Sequence, residues 1–124
     1  MKLLLDTHAA LWWLSGDERF SDHATQQLTD DRNQVMLSAA VVWEVAVKRS
    51  LGKLEAPPNF ASTLLDGGAQ PLHITLDHAS AVEKLPWHHR DPFDRLLIAQ
   101  ALFEDAALVS KYAVLAHYGV RVVW

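Results

Sequence analysis

The sequence predicts an α/β fold, a single domain over 1–124 with a central parallel β-sheet flanked by helices on both faces. Three observations predict it. Short apolar runs at Lys2 to Leu5, Val35 to Leu37, Pro71 to Ile74, Ala107 to Val109 and Val120 to Val123 alternate with segments of helical character. Those runs are apolar rather than alternating, as strands covered on both faces are. The chain has 124 residues, half of them hydrophobic, which is enough to bury one core.

Each element has a local reason. Lys2 to Leu5 reads as a buried strand, and Asp6-Thr7 opens a helix from Thr7 to Leu14 that Ser15-Gly16 ends. Ser21 is an N-cap candidate for a second helix to about Asp31. After the strand at Val35 to Leu37, Ser38 caps a helix to about Ser50, and Gly52 stops it. Pro57-Pro58 opens the next helix, which ends near Gly67-Gly68. Thr75 to Lys84 is helical by spacing, with Leu76, Ala79, Val82 and Leu85 on one face. Asp91-Pro92 starts a long helix to about Asp105, with Pro92 at its first position. Lys111 to Tyr118 reads as a short helix before the last strand.

Composition excludes several classes. With no cysteine, disulfides and thiolate metal sites are impossible, and a reducing cytoplasm is the expected setting. The apolar run at the start is too short for a signal peptide, and no stretch approaches the roughly 18 apolar residues of a membrane span. A soluble protein is expected. The formal net charge of −4 weighs mildly against binding nucleic acid by charge alone.

In open parallel sheets, ligands bind outside the carboxyl ends of the strands. Asp6, Thr7, Ser38 and Ser110, each just after a strand, are therefore the informative positions. Asp6 is either a helix cap or a ligand at the sheet's mouth, with Thr7 able to cap in its place. Glu44 sits in the run Ala39 to Val47, whose apolar character marks a buried helix. A carboxylate there is costly to desolvate unless paired or bound to metal; the plain alternative is an i,i+4 pair with Lys48. Asp91 and Asp94 both suit capping of the long helix, while Asp94 shares the inward face of Ile98 and Ala101. Acids from three separate segments suggest an all-oxygen site for a hard cation such as Mg²⁺. Such a site can hold a phosphodiester and lower the pKa of an attacking water. His88-His89-Arg90 is either a phosphate-contacting strip or a solvated loop, and no spacing suits zinc. His8 is placed near Asp6, and the five tryptophans are expected in core or interface packing.

Taken together, these segments resemble the PIN-domain ribonucleases, in their VapC-type toxin branch. The resemblance runs through Leu3 to His8, Ser38 to Lys48, Arg90 to Ala101, Leu108 to Ser110, Tyr118 to Val120 and the terminal Val123-Trp124. It implies Mg²⁺- or Mn²⁺-dependent hydrolysis of RNA phosphodiesters by the toxin of a bacterial toxin–antitoxin pair. It also implies a cognate antitoxin and, often, a homodimer. Asp6, Glu44 and Asp94 match the three core acids, Asp91 an additional acid, and Ser110 the Ser/Thr after the fourth strand. The family usually places a further Asp two residues beyond that Ser/Thr, where this chain has Tyr112. A tyrosine hydroxyl, with a pKa near 10, is a poor Mg²⁺ ligand at neutral pH. That departure puts a two-metal mechanism in doubt.

The expected activity is thus an endoribonuclease in which Asp6, Glu44 and Asp94 are catalytic and hold the cation together with Asp91. Thr7 and Ser110 are expected to position water or phosphate, and Arg90, Arg95 and Lys111 to contact phosphate. The rivals are a PIN domain that binds RNA or a partner without cutting, a nuclease acting on DNA, and a receiver-type sensing module. The last usually carries adjacent acids after its first strand, where this chain has Asp6-Thr7.

Overall fold

Three consecutive leucines explain the centre of the molecule. Leu3, Leu4 and Leu5 are 0%, 0% and 1% exposed. Successive strand residues point to opposite faces, so both faces of their strand are covered. The computed structural model describes residues 1–124. Its strands are β1 (Lys2–Leu5), β2 (Gln34–Ser38), β3 (Gln70–Leu72), β4 (Ala107–Val109) and β5 (Val122–Val123). They form one sheet in the order β3-β2-β1-β4-β5. Every pairing is parallel, with Leu3 opposite Val35 and Leu4 opposite Leu108. The chain moves outward from β1 to β3 and then returns to β1's other side with β4. The carboxyl ends of β1 and β4 therefore flank a topological switch point.

The helices are α1 (Thr7–Ser15), α2 (Asp22–Thr29), α3 (Ala39–Ser50), α4 (Phe60–Asp66), α5 (Leu76–Ala81) and α6 (Pro92–Phe103), with 3₁₀ turns at Val82–Lys84 and Ala113–Tyr118. The predicted caps are present. Ser21 accepts from the Ala24 amide, and Ser38 from the Ala40 amide. Asp91 accepts from the Phe93 and Asp94 amides with Pro92 at the first turn. Helix α6 buries Leu97, Ile98 and Ala101. Each large apolar side chain so buried stabilises by ~1.5–3 kcal/mol. No helix is long and apolar enough to cross a membrane.

Three local expectations are corrected. Helix α4 begins at Phe60 because Pro57 closes a turn first, its carbonyl accepting from the Phe60 amide. Strand β3 is Gln70–Leu72, one residue earlier than expected and without His73 and Ile74. The apolar face drawn through Leu76 and Ala79 does not face the core: Leu76 is 88% exposed. His78 is buried instead, because its ring can be satisfied there. Its Nδ1 accepts from the Thr75 amide in a capping box, and its Nε2 meets Glu104 at 3.2 Å.

Candidate active site

Four carboxylates gather where β1 and β4 end. Asp6 follows β1 directly, and its amide continues the ladder to the Val109 carbonyl at 3.1 Å. Its Oδ1 accepts from the Ala9 amide at 2.7 Å, so Asp6 itself caps α1. Thr7 does not cap. Its hydroxyl donates to Glu44 Oε1 at 2.6 Å and so ties α1 to α3. The other oxygen of Glu44 is paired with the Lys48 ammonium one turn on. The i,i+4 pair with Lys48 is therefore present, and Glu44 is buried at 4% exposure. Asp91 uses Oδ1 to cap α6, with amide distances of 2.9 and 3.1 Å. Asp94, on the first turn of α6, meets His89 Nε2 through Oδ2 at 2.7 Å.

The electrostatics follow from this crowding. Burial pushes the Asp6 carboxyl up to about 6; the Ser110 hydroxyl and the Ala9 amide oppose the rise, and the Asp94 charge adds to it. Asp94 is also raised, first by burial, against the pull of His89 and with the charges of Asp91 and Glu44 adding. Lys48 is raised by its bond to Glu44. The carboxylates are thus under mutual repulsion, with one ammonium and one imidazole set among them.

Thr7, Glu44, Lys48, His89, Asp91 and Asp94 line a cleft of about 320 Å³, whose wall continues through Tyr112, Val114, Leu115 and Tyr118. Asp6 lies just beneath it, 3% exposed, behind Thr7 and His8. A larger hollow of about 590 Å³ elsewhere also contains acids, Asp30 and Asp31, but Asp30 is closed off by a bidentate pair with Arg32. As the side chains stand, no group of three His, Asp or Glu is arranged to hold a metal ion. Lys48 and His89 take oxygens of Glu44 and Asp94 that a cation would use.

Several expected site residues have other duties. Arg95 is 2% exposed, and its guanidinium donates to the carbonyls of Val82, Leu85, Pro86 and His89 while stacking on Trp87 at 3.8 Å. Both terminal nitrogens of the guanidinium are thus committed to backbone carbonyls, and the group shapes the loop that carries His89. Ser38 is buried and donates to Gln100, whose amide reaches the His73 carbonyl and His78. It belongs to a core network, not to the cleft. Ser110 is buried beside Asp6 and accepts from the Tyr112 amide at 3.1 Å. Arg90 and Lys111 are exposed outside the cleft lining, Lys111 with its ammonium 5.7 Å from the Trp12 ring centre. The sequence offers Lys48 as an i,i+4 partner of Glu44 and His88-His89-Arg90 as a strip beside the acids, or a solvated loop, but names neither Lys48 nor His89 as a site residue. Only the i,i+4 spacing hinted at Lys48, and nothing in sequence paired His89 with Asp94.

Comparison with known proteins bears on the family and the fold. The model of the PIN domain matches residues 3–119. The chain belongs to the PIN-domain family. It is 41% identical over 59 residues to Ribonuclease VapC16 of Mycobacterium tuberculosis, a stretch that covers 44% of this chain and 40% of that protein. The chain therefore spans less than half the length of this curated relative. Among solved structures, VapBC2 from Rickettsia felis bound to a promoter DNA fragment superimposes with a TM-score of 0.72 at 15% identity, covering 98% of this chain and 97% of that one. VapBC-1 from nontypeable Haemophilus influenzae gives 0.69 at 15% identity, covering 98% and 96%. A toxin–antitoxin complex from Klebsiella pneumoniae gives 0.64 at 17%, covering 98% and 96%. At these identities the likeness is one of fold.

Proposed function

We propose that this PIN domain is an endoribonuclease, the toxin of a toxin–antitoxin pair, acting through Asp6, Glu44 and Asp94 with a bound Mg²⁺ or Mn²⁺. The observation that carries the reading is the meeting of these three acids, from the end of β1, from α3 and from α6, at the switch point of the sheet. Their chemistry fits a hard divalent cation. All offered ligands are oxygen, as Mg²⁺ and Mn²⁺ prefer, and Asp6 and Asp94 are held unusually basic, first by burial and then by neighbouring carboxylates, Asp94 acting on Asp6, and Asp91 and Glu44 on Asp94. A divalent ion relieves that repulsion. Asp6, Glu44 and Asp94 would hold it, with the second oxygen of Asp91 beside them. Such a cation supplies Lewis-acid charge at a scissile phosphate.

The chain's own residues do the rest. Thr7 orients Glu44 through its 2.6 Å hydrogen bond. The Ser110 hydroxyl lowers the proton affinity of the Asp6 carboxyl. Lys48 and His89, which hold oxygens of Glu44 and Asp94 in the metal-free protein, would be the phosphate contacts nearest these acids once a cation took those oxygens. A small antitoxin, a homodimer and a cytoplasmic setting complete the reading; likeness in fold to VapBC complexes supports the antitoxin.

The test is cleavage of a mixed RNA pool by purified protein with Mg²⁺, with Mn²⁺ and with EDTA, beside Asp6→Asn and Glu44→Gln. Metal-dependent fragments that vanish in both variants are expected. A folded protein that binds RNA yet cuts none in any condition would instead favour a binding module, the reading that Tyr112 in place of an acid motivates. A parallel DNA pool separates ribonuclease from deoxyribonuclease.

A further inference from the structure

Two kinds of lining meet in the cleft. One is the charged set around Glu44 and Asp94; the other is a stretch from the 3₁₀ turn, namely Tyr112, Val114, Leu115 and Tyr118. Tyr112 is 45% exposed, an unusual state for a large ring beside buried acids. Its one aromatic neighbour is His8, which meets it nearly edge-on at 6.0 Å and 73° and covers only part of the ring. The backbone that carries the ring is pinned on both sides. The Tyr112 amide donates to the buried Ser110 hydroxyl at 3.1 Å, and its carbonyl accepts from the buried Leu115 amide at 3.1 Å. The mount therefore loses little freedom when something stacks on the ring. The neighbouring Lys111 is exposed and forms no ion pair within the chain.

We propose that the Tyr112 ring is the stacking platform for the nucleobase next to the scissile phosphate. This rests on the endoribonuclease reading. Single-stranded nucleic acid is commonly held by aromatic faces for the bases and positive charge along the backbone. Here the ring and the acid cluster open into one cleft, which places base and phosphodiester side by side. Lys111 follows the backbone as it leaves. An aspartate at this position has no face to offer, so the exchange replaces an acid with a base-binding surface.

The test uses Glu44→Gln protein in EDTA, which binds without cutting, and a labelled single-stranded RNA octamer read by fluorescence anisotropy. Adding Tyr112→Phe keeps binding near the parent. Adding Tyr112→Ala or Tyr112→Leu weakens it on the order of 5- to 100-fold; the leucine variant keeps apolar bulk should the alanine one fold poorly. Scanning one abasic site along the octamer finds a position whose loss matches that of the ring. Removing that base costs the Tyr112→Leu protein nothing more. Unchanged binding in folded Tyr112→Leu, or losses from ring and base that simply add, overturns the platform while leaving metal-dependent cleavage by the wild-type protein intact. If the parent binds no RNA, the platform is overturned too, and the cleavage assay then decides whether the wider reading fails with it.

Discussion

Replacing Asp6 by Asn should make the metal-free protein more stable at neutral pH, although it destroys the proposed site. Burial moves the Asp6 carboxyl from an ordinary 3.8 to about 6. The folded state therefore holds the proton more tightly than the unfolded chain does. Below about pH 4 the group is neutral in both states and contributes nothing. From about pH 4 to pH 6 the unfolded state has released the proton and the folded state has not, so stability falls as pH rises. Above pH 6 the penalty is constant. At ~1.36 kcal/mol for each pH unit it comes to about 3 kcal/mol. Asparagine carries no charge and caps a helix about as well as aspartate, so the bond from the Ala9 amide survives. At pH 7.5 in EDTA the variant should be stabilised by up to about 3 kcal/mol, or on the order of 10 °C in Tm for a chain of this size. The advantage should shrink toward zero by pH 4. Thermal melts of both proteins from pH 4 to 8 measure it. An Asn variant no more stable than wild type at pH 7.5, or a gap that does not close on acidification, would refute the account of a carboxylate held charged against its surroundings.

Other perturbations follow from the same contacts. Saturating Mg²⁺ or Mn²⁺ should raise the melting temperature of wild type, by ~2.7 kcal/mol at a hundredfold excess over Kd, and leave Asp6→Asn nearly unmoved; equal shifts in both would place the cation elsewhere. Thr7→Val removes the buried donor to Glu44 and should cost ~1–3 kcal/mol in urea unfolding, together with activity; full activity would deny Thr7 its orienting role. Arg95→Lys cannot reach four carbonyls with one ammonium. It should speed amide exchange across residues 82–90 and reduce turnover without altering the salt dependence of RNA binding. A reduced salt slope would instead make Arg95 a phosphate contact after all.

The sheet was legible because its signal is local. Runs such as Leu3 to Leu5 and Ala107 to Val109 are apolar on both faces, and only a covered parallel strand explains that economically. The caps were legible for the same reason, since Ser21, Ser38 and Asp91 each sit within three residues of the amides they accept. Helix α5 was misread because its pattern of Leu76, Ala79 and Val82 is a periodicity argument. Burial there is decided by a polar network instead: His78 goes inward because Thr75, Gln100 and Glu104 can satisfy its ring. The start of α4 was misread because Pro57-Pro58 suits a turn as well as a first helical position.

The acids themselves could be singled out from sequence, since a carboxylate amid Val41, Val42, Val45 and Val47 has few harmless explanations. Of their partners, only Lys48 could, through its i,i+4 spacing from Glu44. The two cation–acid contacts are themselves local, Lys48 four residues from Glu44 and His89 five from Asp94; what needs the whole fold is bringing both pairs to Asp6, and residue type alone ranks the candidates wrongly. Arginine is the better phosphate ligand in general, so Arg95 looked the natural choice, flanked as it is by Asp94 in sequence. Yet Arg95 lies on the inward side of α6, where four loop carbonyls need donors, and it meets that need. Once it is spent there, the loop it gathers delivers His89 to Asp94, and α3 delivers Lys48 to Glu44. The cleft's positive charge thus comes from residues whose role only the fold could assign, and it sits on the very oxygens that a divalent cation would claim.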